Sequence, residues 1–183
     1  TIRHNTIIGE GDCLILSESG DAASRLNIQN NVLIGQIDWR GNKQGNPGEL
    51  SCGHYAYNSP GLTTYAANVF YNVKQAQCPS GSICAQDPKL KNMTLANFDA
   101  EPLDGSPLID RAPVLSGITT DFYLRPRPFG PAPDIGAIEK GATSVIDSVL
   151  PVVGNVGAST DSAIVTLSAT ATDNIGVTSV SFV

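Results

Sequence analysis

Asp12 and Asp38 are the residues of this 183-residue chain whose type and spacing most directly suggest chemistry. Each stands seven residues after an asparagine, Asn5 or Asn31. Cys13, Ile37 and Trp39 alternate with them. A period of two then turns the apolar neighbours inward and both carboxylates outward, one above the other on adjacent strands. Carboxylates so placed repel unless a cation lies between them or one keeps its proton. As oxygen ligands they suit Ca2+. As an acid and base pair they suit a glycosidic bond, with their separation deciding the stereochemical outcome. Arg40, on the same face as Asp38, could steady a uronate carboxylate. The plainer alternative is a solvated outer face on which Arg40 relaxes the repulsion.

Aromatic residues supply a second set. Tyr55, Tyr57, Tyr65, Phe70 and Tyr71 crowd one stretch. Tyr65 and Phe70 fall in columns expected to face a core. Tyr55, Tyr57 and Tyr71 are left as candidates for stacking on sugar rings through their apolar faces, against the alternative of core packing. His4 and His54 are the only histidines. Neither has a second ligand at metal spacing, and both read as surface polar residues.

These residues are placed by an internal repeat. Aligned on Asn5, Asn31 and Asn68, the position three before holds Ile2, Ile28 and Tyr65. The next four positions after it hold Thr6/Val32/Val69, Ile7/Leu33/Phe70, Ile8/Ile34/Tyr71 and Gly9/Gly35/Asn72. His4, Asn30 and Ala67 share no chemistry and form no column. Apolar columns at matched offsets are what stacked, buried strands need, and an asparagine column can ladder its side-chain amides between layers. The last column, Gly or Asn, reads as a left-handed turn. The spacings are 26 and 37 residues, so the second carries an insertion of about 11, assigned to the polar run Arg40–Glu49. This pattern predicts a β-solenoid. A β-sandwich with coincidental strand spacing is the alternative.

Composition agrees. The charged share is 15%, against about 25% in average globular proteins, and Asn, Ser, Thr, Gly and Pro abound. That suits short strands and frequent turns. The net charge of -6, with no basic cluster, argues against nucleic acid. No stretch is apolar and long enough to span a membrane. Of four cysteines, Cys78 and Cys84 flank a turn-forming Pro-Ser-Gly-Ser stretch and suit a small disulfide loop. Cys13 with Cys52 is then the remaining pair. Buried free thiols are the competing reading. An even count in a turn-rich β protein fits an oxidising compartment. The chain opens in strand-like sequence, and its N-terminus is expected to be cut from a longer protein.

From Pro102 to Pro133 proline is too dense for helix. This stretch is expected to cap the open end of the solenoid. Here Asp87-Pro88-Lys89-Leu90, Gly105-Ser106-Pro107-Leu108-Ile109-Asp110, Asp121, Arg125-Pro126-Arg127 and Asp134-Ile135-Gly136-Ala137-Ile138-Glu139 together resemble the C-terminal region of bacterial choice-of-anchor Q proteins. Those are right-handed parallel β-helix proteins related in fold to pectate lyases. Ile138 stands where that pattern usually has an aromatic residue. The resemblance implies a bacterial, exported, right-handed β-helix and implies no activity.

After Gly141 the run Ala163-Ile164-Val165-Thr166-Leu167-Ser168-Ala169-Thr170-Ala171-Thr172 alternates as a strand, followed by an Asp173-Asn174 turn and a second strand. It resembles the immunoglobulin-like modules of bacterial surface and carbohydrate-active proteins, stopping about halfway through one. The expected organisation is therefore an all-β chain. It has β-helix coils and cap over 1–140, a linker over 141–147 and a truncated immunoglobulin-like module over 148–183. Two functions compete. One is an extracellular or cell-surface structural and binding protein, monomeric and associated with polysaccharide or a cell-surface glycan. The other is the C-terminal part of a polysaccharide lyase or glycoside hydrolase acting on acidic polysaccharide.

Overall fold

The computed structural model describes residues 1–10, 13–18, 25–36, 50–57, 62–74, 78–143, 150–173 and 179–181, without the side chains of Glu18 and Tyr57. The chain divides into two compact units, Thr1–Ser144 and Val145–Val183. It is all-β. Among the described residues the helical content is one 3₁₀ turn, Leu95–Asn97.

Three successive segments of the first unit run parallel to one another. The first forms β1 (Ile2–Arg3), β2 (Thr6–Gly9) and β3 (Cys13–Glu18). The second forms β4 (Leu26–Gln29), β5 (Val32–Gly35) and β6 (Cys52–Tyr57). The third forms β7 (Thr63–Ala66) and β8 (Val69–Tyr71), and β9 (Ile83–Cys84) follows. Strands β1, β4 and β7 make one small sheet, β2, β5, β8 and β9 a second, and β3 with β6 a third, every pair parallel. The columns aligned on asparagine are pairing partners: Ile2 with Ile28, Ile28 with Tyr65, Ile7 with Leu33, and Leu33 with Phe70. The extra length of the second segment falls between Gly35 and Cys52. The run Arg40–Glu49 expected to loop out there lies outside the described residues.

Each segment bends between its first two strands at one residue with a left-handed backbone: His4 (φ 51), Asn30 (φ 57) and Ala67 (φ 49). These three do form a column, one defined by conformation and invisible to side-chain chemistry. The Gly9/Gly35/Asn72 column was expected to be the left-handed one. Only Asn72 has that geometry (φ 52). Gly9 and Gly35 end strands instead, and Gly35 is required by close approach, since a Cβ there would overlap the Asn72 carbonyl oxygen.

The residue after each bend is the ladder asparagine. Asn5 N and Nδ2 both donate to Asn31 Oδ1 (2.9 and 3.0 Å), and Asn31 N and Nδ2 both donate to Asn68 Oδ1 (3.0 and 3.0 Å). Asn31 Nδ2 also reaches the Ile2 and Gln29 carbonyls, and Asn68 Nδ2 the Ile28 carbonyl. The expected amide ladder is present. It satisfies backbone groups that a sharp bend turns into a water-free interior.

The apolar run in β5, Val32-Leu33-Ile34, is buried on both faces. Leu33 and Phe70 face one core with Ile15 and Ile28. Val32, Ile34 and Val69 face the opposite way, onto Leu90, Leu108, Ala112 and Ile135. Leu90 begins the hairpin of β10 (Leu90–Asn92) and β11 (Asp99–Pro102). The proline-dense stretch, expected to close the end of the stack, thus packs along the outer face of the β2-β5-β8-β9 sheet. It comes close at Gly136 (φ 103), where a Cβ would come within 2.7 Å of Thr6 Oγ1 and 3.0 Å of Val32 Cγ2. Gly136 N donates to the Asn30 carbonyl and Ala137 N to Thr6 Oγ1.

Among its described residues the second unit holds one antiparallel hairpin, β12 (Val152–Asp161) and β13 (Ile164–Thr172), closed by Ser162 and Ala163 with Ser162 left-handed (φ 54). Strand β13 coincides with the alternating run in the sequence. Strand β12 was not foreseen, because its glycines at 154 and 157 break the alternation. Asn174 and most of the strand expected after it lie outside the described residues.

Both cysteine pairs are bonded, Cys13–Cys52 and Cys78–Cys84. Cys13 and Cys52 are direct partners across β3 and β6. In the chain-entropy picture the 39-residue separation of the first is worth about 4 kcal/mol and the 6-residue separation of the second about 2. Cys13→Ser/Cys52→Ser is therefore expected to lower the denaturant midpoint more than Cys78→Ser/Cys84→Ser. Asn31→Ala, which removes the acceptor of Asn5 N and Nδ2 and the donor to Asn68 Oδ1 and the Ile2 and Gln29 carbonyls, is expected to cost about 2–4 kcal/mol in chemical denaturation. Asn5→Ala, at the exposed end of the ladder, should cost under about 1 kcal/mol.

Candidate functional site

Asp12, Asp38 and Arg40, the residues singled out for metal binding or glycosidic chemistry, lie outside the described residues. Among the described residues no group of three or more His, Cys, Asp or Glu side chains is placed to hold a metal ion. The tyrosines separate. Tyr55 is exposed beside its pairing partner Leu16, also exposed, on the flank of β3 and β6. Tyr71 is half-buried against the outer core and is not a free stacking platform. The side chain of Tyr57 lies outside the described residues. Tyr65 and Phe70 pack edge to face, ring centroids 6.3 Å apart, as core residues.

Neither histidine is a free surface group. His54 bridges Ser17 Oγ (2.9 Å from Nε2) and Tyr65 Oη (2.5 Å from Nδ1). A serine, an imidazole and a phenol in series resemble a nucleophile, base and orienting group. The direction that uses the phenol hydrogen has Tyr65 donating to Nδ1 and Nε2–H donating to Ser17. His54 then has no free lone pair at Nε2 to take the serine proton, and the chain satisfies polar groups at the edge of the core. Burial lowers the His54 pKa and raises that of Tyr65, which keeps both neutral.

The richest constellation lies in the outer-face segment and uses the residues that carried the family resemblance. Ser106 Oγ donates to the Pro88 carbonyl (2.6 Å) and accepts from Leu108 N. Asp110 N donates to Asp134 Oδ1 (2.8 Å), and Lys140 N to Asp134 Oδ2 (2.6 Å). Glu139 accepts from the backbone N–H groups of Phe129 (2.9 Å) and Asp134 (2.8 Å), and its Oε1 lies 3.0 Å from Arg127 Nε. Asp121 accepts from the N–H groups of Tyr123, Arg125 and Glu139 and pairs with the Arg125 guanidinium.

Asp121, Arg127, Asp134 and Glu139 are all buried. Burial pushes the Asp134 and Glu139 carboxyls up and Arg127 down, against the pull of the charges between them. Burial also pushes Asp121 up, but the Arg125 and Glu139 N–H groups and the Arg125 guanidinium overcome it and hold the carboxyl below its usual range. The three carboxylates are held by backbone N–H donors, Arg127 donates through Nη1 to the Gly136 carbonyl while its Nε and Nη2 make no hydrogen bond among the described residues, and all four are turned away from solvent. They are a hydrogen-bonded frame for a segment with little regular structure.

His4 ties that frame to the stack. Arg127 Nη1 meets His4 Nδ1, and Asn30 Nδ2 lies 2.9 Å from His4 Nε2 while also donating to the Pro113 carbonyl (2.9 Å). With donors at both ring nitrogens, the imidazolium is disfavoured. Burial first, then Arg127, lowers His4 from 6.5 to about 4, with Arg3 adding to the effect and the Gly136 and Asp134 backbone opposing it. Sequence reasoning missed this role because the partners, Arg127 and Asn30, are remote in the chain.

No protein-family model, curated protein or solved structure matches this chain. The class that the fold itself defines is an all-β protein of several small sheets with two disulfides. No helix among its described residues is long and apolar enough to cross a membrane.

The unfolded chain protonates His4 near 6.5, the folded one near 4. The stability tied to neutral His4 is thus present above about 6.5 and lost as the pH falls towards 4. Asp134 and Glu139, raised by burial, act in the opposite sense above their ordinary 3.8 and 4.5. The thermal midpoint is expected to fall between pH 7 and 5, and His4→Gln should flatten that slope. A slope unchanged by the substitution would exclude His4 as its source.

Proposed function

We propose that this chain is part of an exported bacterial parallel β-helix protein with a mainly structural and binding role, associated with carbohydrate. The observation that carries the reading is the in-register parallel stacking at spacings of 26 and 37 residues, held by a vectorial asparagine ladder. Asn5 Oδ1 has no partner among the described residues, although the equivalent oxygens of Asn31 and Asn68 each accept two bonds. The resemblance of residues 87–139 to the choice-of-anchor Q region supports the same reading, as does the framework role of those residues. Two disulfides suit an oxidising location. The hairpin of the second unit, with Val153, Val165 and Leu167 exposed on one face, suits an immunoglobulin-like spacer, because two strands alone are marginal and such a face is normally covered by a second sheet.

The test is a panel of insoluble cell-wall and surface polysaccharides incubated with the chain, with and without a chelator. Bound protein and released sugar are both measured. Binding without release of reducing ends or unsaturated uronates is the expected result. Sugar release would favour the lyase or hydrolase alternative, with chelator sensitivity pointing to Ca2+. Failure to bind any member of the panel would remove carbohydrate from the reading.

A further inference from the structure

The outer-face segment places three consecutive large apolar side chains in solvent. Phe122 is 73% exposed, Tyr123 55% and Leu124 78%. Single exposed apolar residues are ordinary, whereas a contiguous group is informative. This group sits on a loop that is held rather than loose. Phe122 N donates to the Ala137 carbonyl (2.9 Å), Tyr123 N and Arg125 N to Asp121 Oδ1 (2.8 and 2.9 Å), and Leu124 N to the Asp121 carbonyl (3.0 Å). Leu124 has a left-handed backbone (φ 60), where a glycine or asparagine would be less strained. A branched, exposed side chain in a strained position points to a role for the side chain, not the turn.

The ring arrangement is fixed as well. Phe122 and Tyr123 meet edge to face, centroids 5.3 Å apart, and the Arg125 guanidinium lies 5.2 Å from the Tyr123 centroid. Arg125 is itself anchored to Asp121 (2.7 Å) and Glu101 (3.4 Å). The Lys91–Asp99 ion pair (2.9 Å) stands within electrostatic reach of Tyr123. The rim therefore carries both signs of charge, each already paired, and favours neither an anionic nor a cationic ligand.

Area decides the size of the partner. At these exposures the three side chains offer roughly 350 Å². A stable protein interface needs about 800 Å² on each side. The patch is too small for that and matches a ligand presenting one or two flat, partly apolar rings. We infer that the Phe122–Leu124 loop is a binding platform for a neutral glycan, one pyranose stacking on Tyr123 and its neighbour contacting Phe122 and Leu124, with the paired charges of the rim meeting the hydroxyls.

The inference rests on the carbohydrate association proposed above and assigns it to a site. It is tested by affinity electrophoresis of the full chain in gels containing hydroxyethyl cellulose, mixed-linkage β-glucan, glucomannan or polygalacturonate. Retardation by at least one neutral polymer is expected. Tyr123→Ala and Phe122→Ala should each weaken it about tenfold, with thermal midpoints unchanged, and Tyr55→Ala should leave it intact. Retardation that is lost in Tyr55→Ala, or kept in both loop variants, would overturn the site while sparing the broader reading. Retardation by polygalacturonate alone overturns the neutral ligand. No retardation in any gel overturns both. A dimer in size-exclusion chromatography that Leu124→Ser abolishes would assign the patch to a second copy of the chain instead.

Discussion

The first unit depends on one constraint: a chain that bends sharply must satisfy the polar backbone it turns inward. At each bend a left-handed residue redirects the strand, and the asparagine that follows supplies the missing bonds. At Asn31 the side-chain oxygen accepts twice from Asn5 in the layer on one side, and the amide donates to Asn68 Oδ1 on the other side, to the Ile2 carbonyl and to the nearby Gln29 carbonyl. Asn31 and Asn68 are completely buried, which is tolerable only because they are so fully bonded. The ladder also sets register. A slip of one residue would put an apolar side chain where the amide belongs and would turn Leu33 away from its core.

Stacking leaves a second surface to cover. The strands of the β2-β5-β8-β9 sheet are apolar on both faces, a pattern found where both faces are buried. The segment from 86 to 143 performs that covering with little regular structure of its own. Its cohesion comes from buried carboxylates and guanidinium groups that gather backbone N–H donors from distant parts of the chain. Such groups cost free energy to desolvate. What they supply here is geometry, because a proline-dense segment has few ladder bonds with which to hold a shape.

That division explains the distribution of chemistry. The most charged and best organised cluster is a frame, and its members are shielded from solvent. The places where side chains meet solvent in quantity are different: the Leu16–Tyr55 flank, the Phe122–Leu124 loop and the hairpin of the second unit. The frame residues hold the Phe122–Leu124 loop in place through the hydrogen bonds of Asp121 and the Ala137 carbonyl.

Several features were determined by the sequence alone. Apolar columns and a shared asparagine specify strand pairing because a stacked strand needs like residues at like offsets. The Cys78–Cys84 loop was suggested by turn chemistry, whereas Cys13–Cys52 stood only as the remaining pair until the pairing of β3 with β6 brought the two together. The rest was decided by tertiary structure. The left-handed column of His4, Asn30 and Ala67 is a matter of backbone angle and leaves no common side chain. Consecutive apolar residues in β5 announce two buried faces without saying what covers the second, so the proline-rich stretch read as a cap and proved to be a flank. His4 and His54 looked solitary because their partners, Arg127, Asn30, Ser17 and Tyr65, are brought to them only by stacking. Sequence spacing carries information about neighbours one layer away. It carries none about contacts made when a segment folds back across the outside of the stack, and that is where the frame and the aromatic loop are found.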